Sequence, residues 1–165
     1  MSLNALAEIL GVPSINETNS DNLTASFEQI KIAYGFAATK HIIDMASEFC
    51  QDKGKKLMFL LLCPTATRQL LNNQPRYDQE IADYLDRKGL RYFDMNRFHL
   101  EDYKSFNLSV ENYMKRYYIG HYSPVGNHFF AYSIKDKIVD WLDPKPITYR
   151  VDDQRLVDFK GYLPD

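Results

Sequence analysis

Seven consecutive apolar residues, Leu57-Met58-Phe59-Leu60-Leu61-Leu62-Cys63, constrain the fold of this chain more than any other stretch. An apolar run of strand length without alternation suits a parallel strand covered on both faces. Lys55-Lys56 before it and Pro64 after it bound the run, so it reads as a central strand. Such a strand needs helices on its faces and strands beside it, which sets the class as α/β. The turn Pro64-Thr65-Ala66-Thr67 then lies at the carboxyl end of the sheet, where open α/β folds hold their ligands.

The neighbouring segments agree with that class. Ser26 and Gln29 form a capping box, and Phe27, Ile30, Tyr34, Ala37 or Ala38, Ile42, Met45 and Phe49 follow at three- and four-residue steps. This predicts a long helix with those residues on its buried face, closed by Lys53 and Gly54. A second helix is predicted over 76–88, with Tyr77, Ile81, Tyr84 and Leu85 on one side, and Leu90 to Met95 follows Gly89 as a shorter strand. The order helix, strand, helix, strand implies right-handed crossovers and a parallel pair. Upstream, residues 4–10 suit a short helix stopped by Gly11 and Pro13, and Ser14 to Asn22 is polar and turn-rich.

Composition excludes several function classes. A net charge of −2 gives no basic field for nucleic acid, and the longest apolar run is far too short for a membrane span. Cys50 and Cys63 are too few for a disulfide framework or a zinc site and read as small core residues. The four histidines show no metal-ligand spacing, and no cofactor motif is found. His41 borders the apolar face of the long helix and reads as a packed or half-exposed residue; His99 and Asp102, three apart, read as a surface pair on a helical turn. At 165 residues the chain suits one domain, divided into a linker or short helix at 1–23, an α/β domain at 24–142 and a carboxyl-terminal extension at 143–165. Ile147 to Val151 in that extension suits an edge strand, and Met1-Ser2-Leu3 reads as a vector-derived start.

One loop is built to hold a side chain. In Tyr118-Ile119-Gly120-His121-Tyr122-Ser123-Pro124-Val125-Gly126-Asn127, Ser123 is a good N-cap and Pro124 suits the first helical position. Val125, Phe129 or Phe130, Ile134, Ile138 and Trp141 or Leu142 then recur at helical spacing. His121 therefore sits at a seam between loop and helix, a mount that suits an oriented general base.

The block from His121 to Asn127, with Ala131 and Ile134 following and the preceding order of helices and strands over residues 24–142, resembles the carboxyl-terminal half of the SGNH, or GDSL-like, hydrolase family. The resemblance implies a partial flavodoxin-like, three-layer fold with a small, mostly parallel sheet flanked by helices. It also implies a serine esterase or acyltransferase acting on small-molecule or carbohydrate esters, with His121 as general base and no cofactor or metal.

Two departures from the family pattern shape that expectation. The family carries Asp three positions before its histidine, where this chain has Tyr118, and neither Asp94 nor Asp102 matches the motif as a substitute. No Gly-Asp-Ser block occurs, and Ser14, Ser20 and Ser26 lie in a polar loop or a helix cap, not on a strand-to-helix turn. The chain is therefore expected either to be a domain fragment, inactive alone, with its sheet edge covered by pairing between copies, by a strand from 1–20 or 147–151, or by a helix, or to keep the family's scaffold without its chemistry. The alternative is a non-catalytic α/β domain that binds a protein or glycan through Tyr113, Tyr117, Tyr118 and Tyr122.

Overall fold

A computed structural model describes residues 2–15 and 20–142. Among them, seven helices flank a two-stranded parallel sheet: α1 (Leu3–Leu10), α2 (Ser20–Asp52), β1 (Phe59–Leu61), α3 (Pro64–Leu71), α4 (Gln79–Arg87), β2 (Tyr92–Asp94), α5 (Met95–Tyr103), α6 (Val110–Tyr117) and α7 (Pro124–Leu142). The edge strand predicted over 147–151 and the extension that holds it lie outside the described residues. The fold is α/β. β1 and β2 run parallel in the register Phe59↔Tyr92, Leu60↔Phe93 and Leu61↔Asp94.

Helices cover both faces of the strand pair. On one side Phe59, Leu61 and Tyr92 pack with Ile43 and Phe36 of α2 and with Ile81 and Leu85 of α4. On the other, Phe93 and Met58 pack with Met95, Tyr113, Met114, Tyr117, Tyr122 and Ile134, contributed by α5, α6, α7 and the loop before α7. A third cluster ties α1 to α2 through Ala7, Ile15 and Ile30. Residues 3–10 are thus a helix, capped by the Ser2 hydroxyl accepting from the Ala5 amide at 3.2 Å, and they add no strand.

Several boundaries differ from those the sequence suggests. The apolar run yields only three strand residues, and Leu60 and Leu62 remain 46% and 41% exposed, because β1 has β2 as its one strand partner among the described residues. Pro64 does not merely end the run. It is the first residue of α3, a position where its missing N–H costs nothing. α2 starts at Ser20, six residues before the predicted cap, and α4 starts only at Gln79 because Arg76 and Asp78 are drawn into an ion pair.

The largest difference concerns α2. Its core-facing residues are Ile30 and Ile43, while Phe27, Tyr34, Ile42, Met45 and Phe49, which the periodicity places on the buried face, are exposed. Ile43 and Phe36 carry the contact with the sheet and α4 instead. The helix has two apolar faces, and the fold covers one.

Candidate functional site

The loop from Tyr118 to Ser123 links α6 to α7 at the carboxyl end of the sheet. Gly120 takes φ = 96°, a left-handed conformation that a side chain would strain, and it lets the Ile119 amide bond back to the His121 carbonyl at 2.7 Å. Tyr118 and Tyr122 then form an antiparallel bridge. The Ser123 hydroxyl accepts from the Gly126 amide at 3.1 Å as the N-cap of α7, and donates to the Arg116 carbonyl at 3.1 Å. A Cβ on Gly126 would overlap the Tyr117 carbonyl oxygen and stand 2.7 Å from the Tyr122 ring, so the first turn of α7 lies against the end of α6 only because residue 126 is glycine.

His121 is exposed on this loop, with Nδ1 2.8 Å from the Tyr122 carbonyl oxygen. A carbonyl only accepts, so Nδ1 carries the proton and Nε2 keeps a free lone pair, with no hydrogen-bond partner among the described residues. Tyr118 does not support this imidazole. Its hydroxyl points inward, 3.1 Å from His99 Nε2, 3.3 Å from the Tyr122 hydroxyl and 3.4 Å from Thr67 Oγ1. Asp94 is engaged with Arg76 and Asn96, and Asp102 accepts from Tyr113 and Tyr117, so neither carboxylate serves His121.

Behind the loop lies a buried polar network that the sequence reading missed. His99 is fully buried, not a member of a surface pair. Its Nδ1 lies 3.0 Å from the Tyr113 hydroxyl and its Nε2 2.7 Å from the Tyr122 hydroxyl. Tyr113 gives its proton to Asp102 Oδ2 at 2.9 Å, so it accepts from His99 Nδ1–H, and Tyr122 donates to His99 Nε2. Tyr117 adds a second donor to Asp102 Oδ2 at 2.7 Å. Every proton in the chain is placed with a neutral imidazole. Burial holds the His99 pKa down to about 4 against an opposing pull from Asp102, and it pushes Tyr117 up to about 12, helped by the Asp102 hydrogen bond. Tyr113 and Tyr122 are also shifted upward, chiefly by burial.

A second polar chain locks the carboxyl ends of the two strands together. Asn96, fully buried, accepts from the Cys63 amide and from Thr67 Oγ1, both at 2.9 Å, and donates from Nδ2 to Asp94 Oδ1 at 3.2 Å. Arg76 is buried between two carboxylates. It binds Asp78 through two bonds, of 2.6 and 2.7 Å, and also pairs with Asp94. Burial works to lower the Arg76 pKa, but the hydrogen bonds that the guanidinium donates to Asp78 and Asp94, with the attraction of their charges, outweigh it and the net shift is upward. The Cys63 thiol, read from sequence as core filling, lies 3.3 Å from the Tyr77 hydroxyl at the start of α3.

A small hollow of about 190 Å³ opens beside Tyr118 and Gly120, lined also by Pro64, Arg68, Glu111, Met114 and Lys115. It is below the size usual for organic ligands, and His121 does not line it. Among the described residues no three His, Cys, Asp or Glu side chains converge to hold a metal ion, and no helix is long and apolar enough to cross a membrane. Tyr113, Tyr117 and Tyr122, expected as a partner-facing aromatic surface, are buried and Tyr118 is half-buried, so they pack the loop onto the core. No family model, curated protein or solved structure matches the chain.

Proposed function

We propose that this chain is the carboxyl-terminal portion of an SGNH, or GDSL-like, serine esterase or acyltransferase, and that it supplies His121 as the general base to a serine carried outside these residues. The observation that carries the reading is the 2.8 Å bond between His121 Nδ1 and the Tyr122 carbonyl, which fixes the tautomer and leaves Nε2 open on an exposed loop. A base so oriented takes the serine Oγ proton at Nε2 as the oxygen attacks the acyl carbon, then returns it to the leaving alkoxide. Water repeats the cycle to free the acyl group. The Tyr122 carbonyl dipole takes the place of the carboxylate in orienting the imidazole. Helices on both faces of a parallel pair, and the loop's position at the end of α6, are consistent with the flavodoxin-like sheet this family uses.

The chain alone should turn over no ester faster than free imidazole at equal concentration. Joined to a segment bearing a strand and a Gly-Asp-Ser turn, it should hydrolyse p-nitrophenyl acetate. Absence of turnover in every such pairing would reject the reading.

A further inference from the structure

The uncovered face of α2 has a pattern of its own. Phe27, Tyr34, Ile42, Met45 and Phe49 are between 47% and 64% exposed, and with half-buried Ala38 they form a stripe within about 40° of the Ala38 direction at 3.6 residues per turn. The stripe is about 33 Å long at 1.5 Å per residue. Its spacing is symmetric. Relative to Ala38, Tyr34 and Ile42 stand four positions away on either side, and Phe27 and Phe49 stand eleven. At seven positions Met45 answers Lys31, whose aliphatic stem can cover a thioether while its ammonium stays in water.

From this we infer that the exposed face of α2 is a homodimer interface, in which two copies pack α2 against α2 antiparallel with Ala38 on the two-fold axis. The inference does not depend on the ester chemistry. A two-fold interface must be self-complementary, each residue meeting a counterpart from the same patch. The stripe meets that condition: Phe27 faces the second copy's Phe49, Tyr34 its Ile42 and Lys31 its Met45, while the small Ala38 side chains let the helices approach at the centre. A specific interface covers ~800 Å² per partner, and the stripe supplies five large apolar side chains, each 47% to 64% exposed, to its centre.

A hollow at the right place strengthens the fit. Leu3, Ile15, Leu23, Thr24 and Phe27 line an apolar recess of about 290 Å³ where α1 meets the start of α2. The antiparallel pairing brings the second copy's Phe49 to its mouth, an aromatic anchor entering a preformed socket. At the rim Glu28 comes opposite Glu48, and Lys31, 3.4 Å from Glu28, offsets that repulsion.

Sedimentation equilibrium of the whole chain tests the inference, with a species of twice the 19.3 kDa chain mass expected. Phe49→Asp and Ile42→Asp, both at exposed positions, should each weaken dimerisation by at least about a hundredfold while the far-ultraviolet dichroism stays unchanged. Oxidative crosslinking sets the direction in a Cys50→Ser, Cys63→Ser background: Lys31→Cys with Met45→Cys should crosslink between copies, and Lys31→Cys alone should not. A chain that stays monomeric at about 100 µM would overturn the inference. So would a dimer indifferent to both aspartates, or crosslinking by Lys31→Cys alone.

Discussion

His99 and Asp102 share no hydrogen bond; the Tyr113 hydroxyl stands between them, accepting from His99 Nδ1 at 3.0 Å and donating to Asp102 Oδ2 at 2.9 Å. The carboxylate therefore holds the tyrosine's proton, which leaves the tyrosine oxygen to accept from His99 Nδ1. Asp102 pulls the His99 pKa upward, but burial outweighs it and holds His99 near 4 against an ordinary value of 6.5.

That shift fixes a pH dependence of stability. Because the folded pKa lies below the unfolded one, the unfolded chain binds the extra proton between about pH 6.5 and 4, and stability falls as pH drops through that window. The full loss is about 3 kcal/mol at 1.36 kcal/mol per pKa unit. Thermal unfolding followed from pH 7.5 to pH 4 should show it, with a shallower slope in His99→Gln. An equal slope in the variant would mean that other groups carry the dependence.

Arg76 should be the most sensitive charged position. Arg76→Met leaves the buried Asp78 and the half-buried Asp94 without their shared cation, and breaking one side of a buried ion pair costs about 3–5 kcal/mol. Arg76→Lys should also lose stability, since an ammonium cannot form the two-bond contact with Asp78. The urea midpoint checks both. A change under ~1 kcal/mol, the range of exposed pairs, would show that the pair is solvent-screened.

Gly126→Ala should unseat the start of α7. The added methyl meets the Tyr117 carbonyl and the Tyr122 ring, and overpacking of this kind costs roughly 1–3 kcal/mol. Since Tyr122 also holds His121 Nδ1 and His99 Nε2, the variant should shift the NMR signals of both imidazoles. Unaltered signals would mean that the loop absorbs the methyl freely.

The four histidines should separate by reagent access. His41, His121 and His128 are exposed and should be acylated by diethyl pyrocarbonate in the native protein, whereas buried His99 should react only after unfolding. Peptide mass spectrometry reads each site. Native labelling of His99 at the rate of His121 would contradict the buried network.

What could be read from the sequence was what depends on neighbours in the chain. The Ser123 cap, Pro124 at the first turn and Gly54 at the end of α2 follow from local chemistry. The β1–β2 pair followed from the helix–strand order, although pairing on one side left a three-residue strand. His99 escaped because its partners Tyr113, Tyr118 and Tyr122 lie 14 to 23 positions away on other elements. Its place four residues after buried Met95, on the same turn-repeat of α5, was the available signal. For α2, periodicity identified an apolar face but not which of two such faces the fold would cover.

The most direct test of the central claim compares two positions of one loop in the ester assay with a serine-bearing segment attached. If His121 is the base and the Tyr122 carbonyl alone orients it, His121→Ala should lower turnover by about a thousandfold or more. Tyr118→Phe should retain activity within a few fold, because the Tyr118 hydroxyl points to His99 and not to His121. Turnover unchanged in His121→Ala, or lost in a folded Tyr118→Phe, would contradict the account.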